Sequence, residues 1–150
     1  MDFISAIKSG FSNYANFSGR ASRSEYWYFY LFFIILYTAA GIIDGFLQIY
    51  IIQPVETEFG SAGGTGLFAG LVNLGLLIPF LSLTWRRLHD LDKSGALFFI
   101  AFTCIGLIPL LIWHATKGTT GPNRFGPDPL GSGEALPEPP TSNDGPTLEA

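Results

Sequence analysis

Polar and apolar positions along this chain fall into long blocks. Three windows hold no Asp, Glu, Lys or Arg: 26–43 between Glu25 and Asp44, 59–85 between Glu58 and Arg86, and 94–116 between Lys93 and Lys117, with lengths of 18, 27 and 23 residues. A helix needs about 20 apolar residues to cross a hydrocarbon core about 30 Å thick, so each window suffices if the first runs past Asp44 through Gly45 to Ile52. Backbone groups cannot go unpaired in lipid. The pattern therefore predicts an all-α integral membrane protein with three transmembrane helices near 27–50, 66–85 and 95–114, and it excludes a β-barrel. Ahead of them Phe3, Ile4, Ile7, Phe11 and Tyr14 recur at helical spacing, with Asp2, Ser5, Lys8, Ser9, Ser12 and Asn13 between. That spacing predicts a short amphipathic helix over 2–16, lying at the membrane interface.

Composition supports this picture. Only 13% of residues are charged and 48% are hydrophobic, where a soluble domain carries about 25% charge. A soluble protein so composed would expose large apolar patches. A net charge of −4 without a basic cluster argues against nucleic-acid binding, and a single cysteine, Cys104, excludes a disulfide scaffold. Cys104 itself reads as a small apolar packing residue. Residues 117–150 hold six Gly and seven Pro. Within them the acidic stretch 131–150 is too poor in apolar residues to offset its ordering entropy, which predicts a disordered tail after a membrane domain spanning 1–130.

Tyr26, Trp27, Tyr28, Tyr50, Trp85 and Trp113 bracket the predicted spans like an interfacial belt. Lys8, Arg20, Arg23, Arg86, Arg87 and Lys93 fall on one side and Lys117 and Arg124 on the other. The bias predicts a cytoplasmic N-terminus and an outside C-terminus, unless Gly106 and Pro109 break the third segment and return the chain. No cleavable signal is read at the N-terminus, so the first span is expected to remain as an anchor.

Three stretches carry a resemblance: Phe17-Ser18-Gly19-Arg20-Ala21-Ser22-Arg23-Ser24-Glu25-Tyr26-Trp27; Arg86-Arg87-Leu88-His89-Asp90 followed by Ser94-Gly95; and Gly121-Pro122-Asn123-Arg124-Phe125-Gly126-Pro127-Asp128-Pro129. In this order and spacing they resemble the YhaH/YhaI-type bacterial inner-membrane proteins, the family of the domain of unknown function 805. The resemblance covers about residues 1–130. It implies an inner-membrane location and several helices, and no activity. Ala96-Leu97 stands where the family often has tryptophan, and the tail beyond Pro129 lies outside the pattern.

Two groups of residues are candidates for function. Arg20, Arg23, Glu25, Arg86, Arg87, His89 and Asp90 fall at one membrane surface, where arginine forks can bind anionic lipid headgroups or a partner protein, or can serve orientation and ion pairing alone. Asp44 and Gln48 share a face with Tyr37 and Gly41, opposite Gly66, Gly70 and Asn73, and these two faces are expected to pack. Asp44 is either a hydrated interfacial carboxylate or, with Gln48 and Asn73, part of a path through an oligomer. Counting from the aromatics puts Asp44 and Asn73 at different depths, too far apart for a direct hydrogen bond. His89, Asp90 and Ser94 lack the context of a triad, and His89 lacks enough nearby ligands for a metal, with His114 expected across the membrane. Gly60–Gly66 lacks a P-loop lysine and reads as a flexible outer loop. These readings favour a non-enzymatic structural or partner- and lipid-binding component, without cofactor or metal. The alternative is an oligomeric small transporter or channel.

Overall fold

The computed structural model describes residues 1–57, 60–62, 64–103 and 105–131. Cys104 and the tail beyond Gly131 lie outside the described residues, as do the expectations placed on them. Helix α1 (Phe3–Ser12) starts at Asp2, whose carboxylate accepts the Ser5 amide at 2.8 Å. Helix α2 (Arg23–Leu47) starts at Ser22, whose hydroxyl accepts the Glu25 amide at 3.2 Å. Ser22-x-x-Glu25 has the spacing of a capping box. Glu25 turns elsewhere instead, accepting from Ser9 at 2.8 Å and from Arg86 at 3.1 Å. Helix α3 (Leu67–Asp90) extends five residues past its predicted inner end, so Arg86 to Asp90 form its last turn instead of a loop.

Helices α2 and α3 are both long and apolar enough to cross a membrane. They meet along a seam in which Tyr26, Phe29, Leu76 and Leu83 are buried, flanked by Phe33, Val72 and Phe80. The expected small-residue contact differs from this seam. A side chain at Gly41 would meet nothing, and Gly70 lies beside Ile51, because bulky aromatics set the approach of the two helices. The loop between them is also more ordered than expected. Strand β1 (Tyr50–Ile52) pairs antiparallel with β4 (Thr65–Gly66), and β2 (Val55–Thr57) with β3 (Gly60–Ala62). The protein is thus mostly helical and not all-α.

Helix α1 docks on this pair through its small residues. Ala6 and Gly10 are buried, Gly10 against the Phe29 ring, while Ile4 and Phe11 keep exposed surface. Just beyond it, Tyr14 donates to the Gly75 carbonyl at 2.7 Å. That carbonyl would ordinarily accept from the residue four places on, which is Pro79 and has no N–H. Tyr14 replaces the missing donor.

The uninterrupted third helix over 95–114 is not formed. Gly95–Phe102 is a 3-10 helix, and helix α4 begins anew at Leu107 and ends at Ala115. Thr103 and Gly106 make the break: the Thr103 hydroxyl donates to the Ile100 carbonyl at 2.7 Å, and a Cβ at Gly106 would run into that same carbonyl. The two pieces then fold back on each other. Lys93 before the first lies 4.8 Å over the Trp113 ring near the end of the second, so the segment leaves and returns at one end of the molecule. Phe102 and Ile105 at its tip are 81% and 80% exposed. His114 and residues 117–130 therefore share an end with Arg20 and Asp90, correcting the expectation that placed them on opposite sides.

Candidate functional site

At that end the three sequence stretches converge on Asp90, the last residue of α3. Its Oδ1 accepts from Arg20 Nε at 2.9 Å and Nη2 at 2.8 Å, and its Oδ2 accepts from Arg87 Nη1. A carboxylate at a helix C-terminus opposes the helix dipole. Two guanidinium groups offset that here, and all three side chains are buried.

Both arginines also tie down backbone. Arg20 Nη1 donates to the Gly121 carbonyl at 2.6 Å, and Arg20 also reaches the Thr119 carbonyl. Arg87 Nε donates to the His114 carbonyl at 3.2 Å, and its Nη2 reaches the Thr116 carbonyl. A guanidinium offers five donors in a fixed fork, and here the fork is spent on a carboxylate and on carbonyls from several segments. The Asp90 carbonyl accepts from Thr119 twice, from its amide at 2.8 Å and its hydroxyl at 3.0 Å. Gly118 makes room for this approach, since a Cβ there would overlap the Asp90 carboxylate.

Around this centre the remaining motif residues are held by short-range chemistry. The His89 ring stacks on Phe125 at 3.8 Å with an interplanar angle of 3°, and its Nδ1 lies 3.1 Å from the Gly19 carbonyl. Asn123 donates to the His89 carbonyl at 2.9 Å and closes a tight turn with Gly126 through paired 3.0 Å backbone bonds. Amides of Leu130 and Gly121 donate to Asp128, holding its carboxyl below the usual aspartate range. Arg124 pairs with Asp92 at 3.1 Å on the surface. Nearby, Arg86 and Glu25 form a second buried ion pair at 3.1 Å.

A family model described as "Protein of unknown function (DUF805)" matches residues 14–127, taking in all three stretches. The chain belongs to the DUF805 family. The inner membrane protein YhaH of Escherichia coli K12 is 38% identical over 120 residues, covering 78% of this chain and 89% of that protein. The inner membrane protein YhaI of the same strain is 41% identical over 130 residues, covering 85% and 93%. No solved structure matches. This DUF805 chain is accordingly a small membrane protein of unknown activity, and its relatives give no sign of catalysis.

Of the seven residues singled out at this surface, Arg20, Glu25, Arg86, Arg87, His89 and Asp90 come together in the buried arrangement above. Arg23 does not. It is exposed in the first turn of α2, with one 3.5 Å contact to the Ala115 carbonyl. Two adjoining clefts of about 500 and 350 Å³ share Arg23 and Leu130; the first adds Trp27 and Tyr28, the second Lys117 and Thr120. Among the described residues no group of three His, Cys, Asp or Glu is placed to hold a metal.

At the opposite end Asp44, Gln48 and Asn73 do not converge. Asp44 is 1% exposed, and its two oxygens accept the Phe68 and Ala69 amides at 2.9 and 2.8 Å. These are free donors in the first turn of α3, which has Gly66 at its own cap and no capping side chain. Gln48 ends α2 in a left-handed conformation and is exposed, as is Asn73. Sequence reasoning missed the cap because donor and acceptor stand 24 residues apart.

Proposed function

We propose that this DUF805 protein is a non-enzymatic inner-membrane component whose cytoplasmic face is locked by Asp90 and presents Arg23 and Lys117 to anionic lipid headgroups. The observation that carries the reading is the engagement of Arg20 and Arg87. Arg20 and Arg87 are fully engaged within the protein, so phosphate would have to break buried pairs to reach them. Arg23 is free of such bonds and stands beside Trp27 and Tyr28, aromatics suited to the headgroup level. Neither His89 nor Asp90 is available for acid–base work, since one is stacked and the other doubly paired.

In this reading α2 and α3 cross the membrane and residues 95–115 dip in and return. The 9 residues of α4 rise about 14 Å at 1.5 Å each, and the 8 of the 3-10 helix about 16 Å at 2.0 Å each. Each arm reaches about halfway through a core about 30 Å thick, which agrees with the apolar tip. Lys117 and Arg124 then join the other six basic residues on one face, leaving none between α2 and α3, a stronger bias toward the cytoplasm than the sequence pattern gave.

Fluorescent reporters active only in the cytoplasm, fused after Asp92 or after Leu130, are expected to be bright at both positions; darkness at Leu130 would sink this topology. Arg23→Ala is expected to lower the anionic lipid retained in mild detergent several-fold, with Arg124→Ala close to the unmodified protein. Equal retention in the two would remove the headgroup site.

A further inference from the structure

Among the described residues, three buried side-chain nitrogens have no partner: Arg86 Nε, Arg86 Nη2 and His114 Nε2. The histidine differs from the arginine in opening onto a cavity. A space of about 200 Å³ lies where α2, α3, the 3-10 helix and α4 face one another, walled by Tyr30, Phe80, Phe98, Ala101 and Leu107, with His114 at its edge. His114 is 4% exposed, and its ring packs against Tyr26 with centroids 4.4 Å apart.

The protonation pattern of that ring follows from its one bond. Its Nδ1 contacts the Leu110 carbonyl, which can only accept, so Nδ1 carries the hydrogen. In the neutral ring Nε2 is then an acceptor without a donor, a costly arrangement in a buried place. The walls offer mainly flat aromatic and branched aliphatic surface, with the hydroxyl-bearing Tyr26, Tyr30 and Thr84 among them. A ligand completing this site therefore needs a flat apolar body for the walls and one hydroxyl for Nε2.

We infer that the cavity between the two long helices and the re-entrant hairpin binds a flat lipophilic alcohol of the phenol or hydroquinone class, its hydroxyl donating to His114 Nε2. The site adjoins the first headgroup cleft, with Trp27 lining both, but it does not include Arg23 and does not depend on lipid binding there. Its position within the apolar part of the fold gives it access to molecules dissolved in the membrane, not in water.

The test compares 1-naphthol with 1-methoxynaphthalene, which keeps the ring system and lacks the donor. The full chain is reconstituted in phosphatidylcholine nanodiscs, and heats of titration are corrected with empty nanodiscs. Saturable binding of 1-naphthol is expected, about tenfold tighter than its methyl ether, the size of one buried hydrogen bond. His114→Leu should erase that preference. Ala101→Phe, which fills the cavity and leaves His114 in place, should abolish saturable binding, so the proposal can be judged even if the histidine variant fails to fold. Partition identical to empty nanodiscs, or equal affinity for the two probes in the unmodified protein, overturns it. Saturable 1-naphthol binding that survives Ala101→Phe overturns it too.

Discussion

Asp90 and Asp128 show how differently two carboxylates in one region behave. Asp90 is buried between Arg20 and Arg87, so Asp90→Asn leaves two guanidinium groups without their counter-charge. Removing one partner of a buried ion pair costs about 3–5 kcal/mol, and a loss of that size is expected in reversible denaturant unfolding in detergent. Asp128 sits at the surface, with its carboxyl held down by two amides. A lowered folded value means that its contribution is complete well above about 3.9, the ordinary aspartate value, and is lost as acid carries the pH down through the folded value. Hydrogen exchange of the Gly121 and Leu130 amides is therefore expected to be flat in protection from pH 7 to 5, and Asp128→Asn to expose both amides at neutral pH.

Among the elements, α3 is shaped by a proline that another segment repairs. Tyr14→Phe removes the donor to the Gly75 carbonyl and is expected to cost about 1 kcal/mol. In a Pro79→Ala background the helix supplies its own N–H, so the same substitution should cost close to nothing in a double-mutant cycle. The contrast between α2 and the third apolar segment shows what the sequence could tell. Ser22 caps the start of α2 with a side chain that acts locally, and the uncharged window places that start within four residues. The break at Thr103–Gly106 is set by a glycine meeting a carbonyl six positions earlier, inside a run whose hydropathy never changes. Periodicity cannot see such a turn, although Gly106 marks the place. Replacing it by Val should splay the two arms, which a disulfide between cysteines at positions 93 and 113 would report by failing to form.

For the whole molecule, the inner cluster was legible because unlike charges near one membrane surface must find each other. Arg20, Arg86 and Arg87 with Glu25 and Asp90 do so. What was not legible was the saturation of Arg20 and Arg87, since the carbonyls of Thr116, Thr119 and Gly121 that consume their donors belong to a segment expected on the far side of the membrane. The same error in one turn hid both the packing of residues 119–121 against Arg20 and the separate standing of Arg23. Asp44 was hidden for a related reason: its role depends on amides contributed by another helix, and no pattern in its own neighbourhood records them.

Asp90 holds Arg20, from the start of the chain, and Thr119, from near its end. During synthesis the first transmembrane helix is therefore in place long before the residues that complete its anchor have left the ribosome. At about 5–20 residues per second, Arg20 waits several seconds for the Thr119 and Gly121 carbonyls. A nascent chain halted before Thr119 carries an open end, with polar groups that a finished chain conceals. The closure of that end marks the completed protein.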